Sequence, residues 1–289
     1  MQHITYPVRH LFGLPIASLT TNETIDVMLK AIKTRTPFYH VSINASKLIK
    51  MKKDDVLMKD INNSDMLSPD GQPVVWASRM LGKPLPERVT GIDLMTTLMA
   101  IAPDHGLKIY FLGARPHVVE KVVANAIEKY GKEIVAGYHH GYLNKENSPL
   151  VANDIANSGA DILLVAMPSP RKEKYLNLFR NQLNVPVVMG VGGSFDVVAG
   201  EVQRAPVIFQ KTGFEWLYRF AQEPRRLWKR CVVTLFIFPF MVLGEMIKAL
   251  SIDKAKIPAS IKIPVAKPVA RVVNKIVVNK EKVEAAMTS

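Results

Sequence analysis

Several short stretches of this chain carry side chains that can do chemistry. Ser68-Pro69-Asp70-Gly71 has the residues of a tight turn: proline presets φ, aspartate caps, and glycine takes a positive φ. Asp70 therefore reads either as a turn residue or N-cap of a helix starting near Pro73, or as a general base. In the second reading a carboxylate on a rigid turn takes the proton of an attacking hydroxyl. In Pro84-Leu85-Pro86-Glu87-Arg88-Val89-Thr90-Gly91 prolines stiffen the backbone and present Glu87 and Arg88. Either these form a solvated ion pair on a surface loop, or Arg88 is held to meet phosphate oxygens in bidentate fashion. Gly192-Gly193-Ser194-Phe195-Asp196 opens a helix directly after an apolar strand. Backbone N–H groups there attract phosphate, and Asp196 can accept from ribose hydroxyls or a base edge.

Other chemistries are excluded by what is missing. The glycine pattern is neither G-x-G-x-x-G nor a Walker loop, so a nicotinamide or ATP site of the usual kind is not supported. His139-His140 lies in an extended segment, where neighbours point to opposite faces, so the two do not chelate one ion. With no H-E-x-x-H and a single cysteine, Cys231, no metal site and no disulfide framework are expected. No G-x-S-x-G elbow is present, which argues against an α/β-hydrolase.

The elements that must position these groups alternate between strand and helix. Phe38–Ile43, Leu107–Leu112, Glu133–Ala136, Asp161–Ala166 and Val185–Val191 read as strands, the last two as apolar runs buried on both faces. Lys47–Asn62, His117–Tyr130, a segment ending at Ala152–Ser158, and 171–183 read as helices. The predicted fold class is α/β: a Rossmann-like, mostly parallel sheet with helices on both faces. Ligands in such folds sit at the carboxyl ends of the strands. Those ends carry Ser42-Ile43-Asn44, Gly113-Ala114-Arg115, Pro168-Ser169-Pro170 and Gly192-Gly193-Ser194, which together define a pocket hypothesis.

The 289 residues, 48% apolar and 22% charged, fit one large domain or two small ones and exclude a disordered chain or a rod. The net charge is +13, and from Glu201 onward 16 Lys and Arg face 7 Asp and Glu. This asymmetry points to an anionic partner, such as nucleic acid, anionic lipid or a phosphorylated substrate, or simply to solubility. The N-terminus has charges and prolines where a secretory leader needs an apolar run, so no leader is expected. Glu215–Arg230 interleaves aromatics with arginines, and Cys231–Gly244 adds 14 residues without a charge, interrupted by Pro239. That is short for a spanning helix and suits one lying in the membrane interface; a buried core helix is the alternative. The predicted organisation is a core over 1–200, a basic and apolar helical appendage over 201–252, and a flexible basic tail over 253–289.

Rival functions fit parts of this pattern. A nucleic-acid-binding protein would use the basic stretch, a nucleotide-dependent oxidoreductase the α/β core, and a non-catalytic membrane scaffold the apolar run. The first is disfavoured by that apolar run, the second by the missing glycine fingerprint.

Long motifs in fixed order sharpen the choice. Ser42-Ile43-Asn44-Ala45, Ser68-Pro69-Asp70-Gly71, Leu85 to Leu94 (LPERVTGIDL), Phe111-Leu112-Gly113-Ala114, His139-His140-Gly141-Tyr142, Gly190 to Gly200 (GVGGSFDVVAG), Arg204-Ala205-Pro206 and Gly213 to Arg219 (GFEWLYR) resemble the WecG/TagA/CpsF glycosyltransferase family of bacteria. The likeness covers roughly residues 10–245. It implies inverting transfer of a hexose, of N-acetylmannosamine or glucose type, from a UDP-sugar to a polyprenyl-diphosphate-linked saccharide. It places the enzyme in the cytoplasm, peripheral on the inner face of the plasma membrane. The products would be teichoic acid linkage units, enterobacterial common antigen or exopolysaccharide. No metal and no cofactor are implied, only the UDP-sugar as co-substrate.

The resemblance also assigns roles. Asp70 is the base, Ser42 stands where relatives have threonine, and Arg88 is the arginine of the LPERV segment. Asn44, Gly192, Gly193 and Asp196 bind substrate. Lys172 stands where relatives often have glutamine and puts a charge near the pocket. Arg219 and Arg226 belong to an appendage that closes over the site and docks on an anionic membrane, and Lys229 stands where an arginine is expected. No nucleic-acid partner is implied; a homo-oligomer stays open, because an apolar appendage can pack on another subunit. Chemistry agrees with this scheme. Negative charge grows on the departing UDP, and cationic groups must meet it.

Overall fold

In a computed structural model the described residues are 4–252. The chain opens with a hairpin of β1 (Val8–Leu11) and β2 (Leu14–Ala17), followed by α1 (Thr21–Lys33) and β3 (Phe38–Ile43). Next come α2 (Ala45–Met51), α3 (Asp55–Asn62), β4 (Met66–Pro69), α4 (Gln72–Met80) and α5 (Gly91–His105). β5 (Ile109–Gly113), α6 (Pro116–Tyr130), β6 (Val135–His139), α7 (Asn147–Asn157), β7 (Ile162–Ala166), α8 (Arg171–Phe179) and β8 (Val187–Gly190) complete the sheet. Four helices follow: α9 (Ser194–Val198), α10 (Val207–Thr212), α11 (Glu215–Gln222) and α12 (Pro224–Ile252).

The sheet order is β1-β2-β4-β3-β8-β7-β5-β6, parallel throughout except for β1 against β2. The predicted α/β class with a parallel sheet is what the chain forms. Strand periodicity divides the core in two. Tyr110, Leu112, Leu163 and Val165 face the layer of α2, α3, α7 and α8. Ile109, Phe111, Ile162 and Leu164 face α1, α5, α6 and α9. Each fully buried aliphatic or aromatic side chain contributes about 1.5–3 kcal/mol, so the centre of the sheet is a rigid platform for its carboxyl edge.

Some local expectations change. The predicted helix over Lys47–Asn62 is two helices, because the Asp54 carboxylate caps a new start by accepting from Leu57 N–H at 2.9 Å. The strand expected at Glu133–Ala136 begins as a 3-10 turn over Lys132–Ile134 and extends to His139. The hairpin and β4 escape a sequence reading because each strand has only four residues, and Pro15 and Pro69 disguise two of them.

Pro239 does not end the apolar helix; α12 runs 29 residues through it. The lost backbone hydrogen bond is tolerated because Phe238, Met241 and Val242 are buried against the core, with Phe238 packed 5.6 Å from Phe12. By length and composition this helix is apolar enough to cross a membrane. Its Phe238 face is nevertheless covered by protein, while Val232, Leu235, Phe236, Phe240 and Leu243 are exposed. Residues up to Ala249 form one compact unit. The expected basic tail over 253–289 lies outside the described residues.

Candidate active site

The carboxyl ends of β3 and β4 are held side by side by parallel pairing of Ser42 with Ser68 and Ile43 with Pro69. Asp70 N–H donates to Ile43 O at 2.8 Å, which fixes the turn after β4, and Gly71 takes φ +122. Gly71, not Asp70, occupies the N-cap of α4, and no side chain caps that helix. The capping role is therefore not what the Asp70 carboxylate does, and among the described residues it accepts no hydrogen bond. Burial pushes its pKa up. Arg230, Arg88 and Lys47 pull it down without overcoming that effect, and Glu215 adds to the rise. A carboxylate raised by desolvation and left unpaired is a stronger base than an exposed one.

Asn44 sits beside this turn and caps α2, its Oδ1 accepting from Lys47 N–H at 3.0 Å. Ser42 is buried, and its Oγ has no hydrogen-bond partner among the described residues. Val89 N–H donates to Pro69 O at 2.9 Å, so the proline-flanked segment is stitched to the same turn.

Beyond β8 the chain turns through Gly192 at φ +55 into α9. That helix has only five residues, too few to build an appreciable macrodipole. Side chains supply the positive charge instead. Arg219 Nη2 donates to Gly193 O at 3.4 Å, and Arg226 Nη1 and Arg115 Nη2 approach Asp196 at 3.8 Å and 3.9 Å. Both appendage arginines thus sit over the Gly192–Asp196 turn. Because β3 alone separates β4 from β8, the carboxyl ends of those two strands are about 10 Å apart, room for a sugar and its phosphate.

Arg88 is not free. Its Nη1 meets Glu215 Oε2 at 2.7 Å, with side chains 14% and 15% exposed. The expected Glu87–Arg88 surface pair does not form, because the two side chains diverge: Glu87 Oε1 accepts from Thr21 N–H at 2.6 Å. The Arg88–Glu215 pair fastens α11 to the core. Trp76 and Phe214 pack edge to face at 6.5 Å beside it.

Lys172 is buried inside the platform. Its Nζ lies 3.5 Å from Glu173 Oε1, which also accepts from Lys47 Nζ at 3.2 Å. Lys229 is exposed and stacks over its neighbour Trp228 at 5.6 Å. The appendage cation whose field reaches Asp70 is Arg230. Its only signal in the sequence is the i, i+4 spacing from Arg226, which puts both on one helix face. Glu215, Lys47 and Glu173 carried no local signal, because their partners lie in distant segments.

His139 and His140 do not diverge. The strand ends at His139, and the rings approach to 4.3 Å, with His139 Nδ1 2.7 Å from His140 O. No group of three or more His, Cys, Asp or Glu side chains that could hold a metal ion occurs among the described residues. A small cavity lined by Tyr6, Pro15, Ile61 and Asp65 lies at the opposite edge of the sheet, away from this arrangement.

Residues 9–251 match the glycosyl transferase WecG/TagA/CpsF family. Among curated proteins the chain is similar to N-acetylglucosaminyldiphosphoundecaprenol N-acetyl-beta-D-mannosaminyltransferases from three bacteria. The Bacillus spizizenii protein is 36% identical over 59% of this chain and 65% of its own length. The Bacillus subtilis protein is 32% identical over 78% of this chain and 80% of its own. The Staphylococcus aureus protein is 35% identical over 65% of this chain and 73% of its own.

Proposed function

Because the chain belongs to the WecG/TagA/CpsF glycosyltransferase family, we propose that it moves an N-acetylmannosamine-type hexose from a UDP-sugar to a lipid-diphosphate-linked N-acetylglucosamine. The activity for which the relatives are named supports the sugar and the acceptor. The observation that carries the reading is the unpaired Asp70 carboxylate on a platform rimmed by Arg219, Arg226 and Arg230.

In this scheme the acceptor hydroxyl oxygen attacks the anomeric carbon from the Asp70 side. The bond from that carbon to the diphosphate breaks, UDP leaves with the electron pair, and the hydroxyl proton passes to Asp70. One displacement inverts the configuration and needs no carboxylate nucleophile. Arg219 and Arg226 meet the charge growing on the diphosphate, and Asp196 accepts from the nucleoside. Ser42 and Asn44 line the sugar side. The family's implied independence of metal and cofactor places the whole electrostatic burden on these arginines.

The appendage would bring the lipid acceptor within reach. Arg225, Arg226, Lys229 and Arg230 fill the first turns of α12, and Phe236 and Phe240 project from its uncovered side. That is the distribution of an interfacial helix on anionic lipid at the cytoplasmic membrane face.

A donor screen with a synthetic lipid-diphosphate N-acetylglucosamine acceptor tests this. UDP release is expected with UDP-N-acetylmannosamine, and only when acceptor is present; release with a UDP-glucose-type donor alone would reassign the sugar. Asp70→Asn is expected to lower kcat by about 10²–10⁴ with UDP affinity unchanged. Full activity in that variant removes the base assignment.

A further inference from the structure

Close to the Asp70 turn, in the helix that starts two residues after the Ile43 carbonyl holding Asp70 N–H, begins a buried ionic cluster that the proposed chemistry does not use. Lys47, in the first turn of α2, and Lys172, in the first turn of α8, both approach Glu173 Oε1, at 3.2 Å and 3.5 Å. The side chains of Lys47, Lys172 and Glu173 are 10%, 6% and 0% exposed. Glu173 Oε2 is buried with no hydrogen-bond partner among the described residues. Lys172 packs on β8: a Cβ at Gly190 would lie 2.5 Å from its Nζ, so a side chain there would displace the ammonium. One carboxylate cannot neutralise two buried ammonium groups, and an uncompensated buried charge is costly unless another group answers it.

We infer that this cluster holds a surplus positive charge beside the Asp70 turn: Glu173, hydrogen-bonded to Lys47 at 3.2 Å, cannot also answer Lys172 at 3.5 Å, so that Lys47 acts as a positioning residue for the Asp70 carboxylate. Burial raises Glu173, but the charges of Lys172 and Lys47 together with the Lys47 hydrogen bond outweigh it and hold it near pKa 2. Lys47 is lowered to about 8 by burial and then by Lys172, and is supported by Glu173 and Asp70. Its ammonium therefore remains the charged form at neutral pH, and its field reaches Asp70.

The groups that face Asp70 are Lys47 from α2, Arg88 from the segment before α5, Glu215 from α11 and Arg230 from α12. Those that face Lys47 are Lys172 and Glu173 from α8, Asp70 itself, and the neutral His40 of β3. Arg88 is already answered by Glu215 at 2.7 Å. Lys47 therefore acts beside Arg230, the strongest of these cations, and Arg88, whose pull Glu215 only partly offsets, to keep Asp70 ionised against its burial.

This inference rests on Asp70 being the base, but its test does not require turnover. Carboxyl ¹³C NMR of the full-length protein, with the Asp70 resonance assigned by its loss in Asp70→Asn, reads the titration directly. Lys47→Met is expected to raise the midpoint by about one pH unit, and Lys172→Met by less, because Glu173 then neutralises Lys47. Lys172→Gln serves as a second neutral variant should the methionine form fail to fold. The acid limb of kcat against pH, measured with UDP-sugar and lipid acceptor, is expected to move by the same amount. An unmoved Asp70 midpoint in the folded Lys47 variant, or a rise there but none in either Lys172 variant, overturns the inference. Loss of thermal stability without any shift would show the cluster to be structural only. Absence of turnover in the unaltered protein, with the NMR shifts present, would instead sink the proposed reaction.

Discussion

The ion pair between Arg88 and Glu215 ties the appendage to the core, and its removal should open the appendage by a measurable amount. An exposed pair contributes about 0–1 kcal/mol, while breaking a fully buried one costs about 3–5 kcal/mol. With side chains 14% and 15% exposed and a 2.7 Å contact, Glu215→Gln should cost about 2 kcal/mol, between these limits. That is roughly a thirtyfold rise in the detached population at tenfold per 1.4 kcal/mol. Trypsin reads it: cleavage after Arg219, Arg225 or Arg226, identified by mass, tracks the open fraction when opening is fast relative to cutting. Because Arg219 and Arg226 ride on the same helices, UDP affinity should fall in parallel. Arg88→Met should behave like Glu215→Gln, and the double variant should be little worse than either. Purely additive effects, with a coupling below about 0.5 kcal/mol, or unchanged cleavage in Glu215→Gln, would refute the latch.

Phe236→Glu with Phe240→Glu, at positions 63% and 73% exposed, should abolish sedimentation with anionic vesicles and leave the melting temperature nearly unchanged; retained vesicle binding would show that another surface docks. His40 is buried and donates to or accepts from Ser68 Oγ at 2.7 Å, and burial, then Lys47 and Lys172, lowers its pKa from 6.5 to about 3. The unfolded chain takes up that proton as pH falls below 6.5 while the folded one refuses it until about 3, so stability present above 6.5 is lost through this window. His40→Gln should flatten the dependence of urea-unfolding free energy on pH between 6.5 and 3; an unaltered slope would contradict the assignment. Chelators should leave UDP release intact, whereas inhibition reversed by Mg²⁺ or Mn²⁺ would require a metal in the mechanism.

Periodicity and composition were enough to determine the α/β class and most central strands, because a strand buried on both faces must be apolar and short wherever it lies in the sequence. Phe38–Ile43 was read with its observed limits, and Ile162–Ala166 within one residue. The motif order likewise located Asp70 and the Gly192–Asp196 turn, since turn chemistry is local. What a side chain does on that turn is not local. Whether Asp70 caps a helix or stands unpaired depends on where Gly71 falls in α4. Whether Arg88 meets Glu87 or Glu215 depends on an appendage 127 residues away. Pro239 reads as a break until Phe12 and its neighbours hold the helix on both sides of it. Lys47 and Glu173 look like ordinary surface charges and Lys172 like a charge at the pocket, and only the order of strands β3, β8 and β7 buries the three together. Local conformational preference is written residue by residue, whereas the partner of a buried charge is chosen by the packing that removes its water.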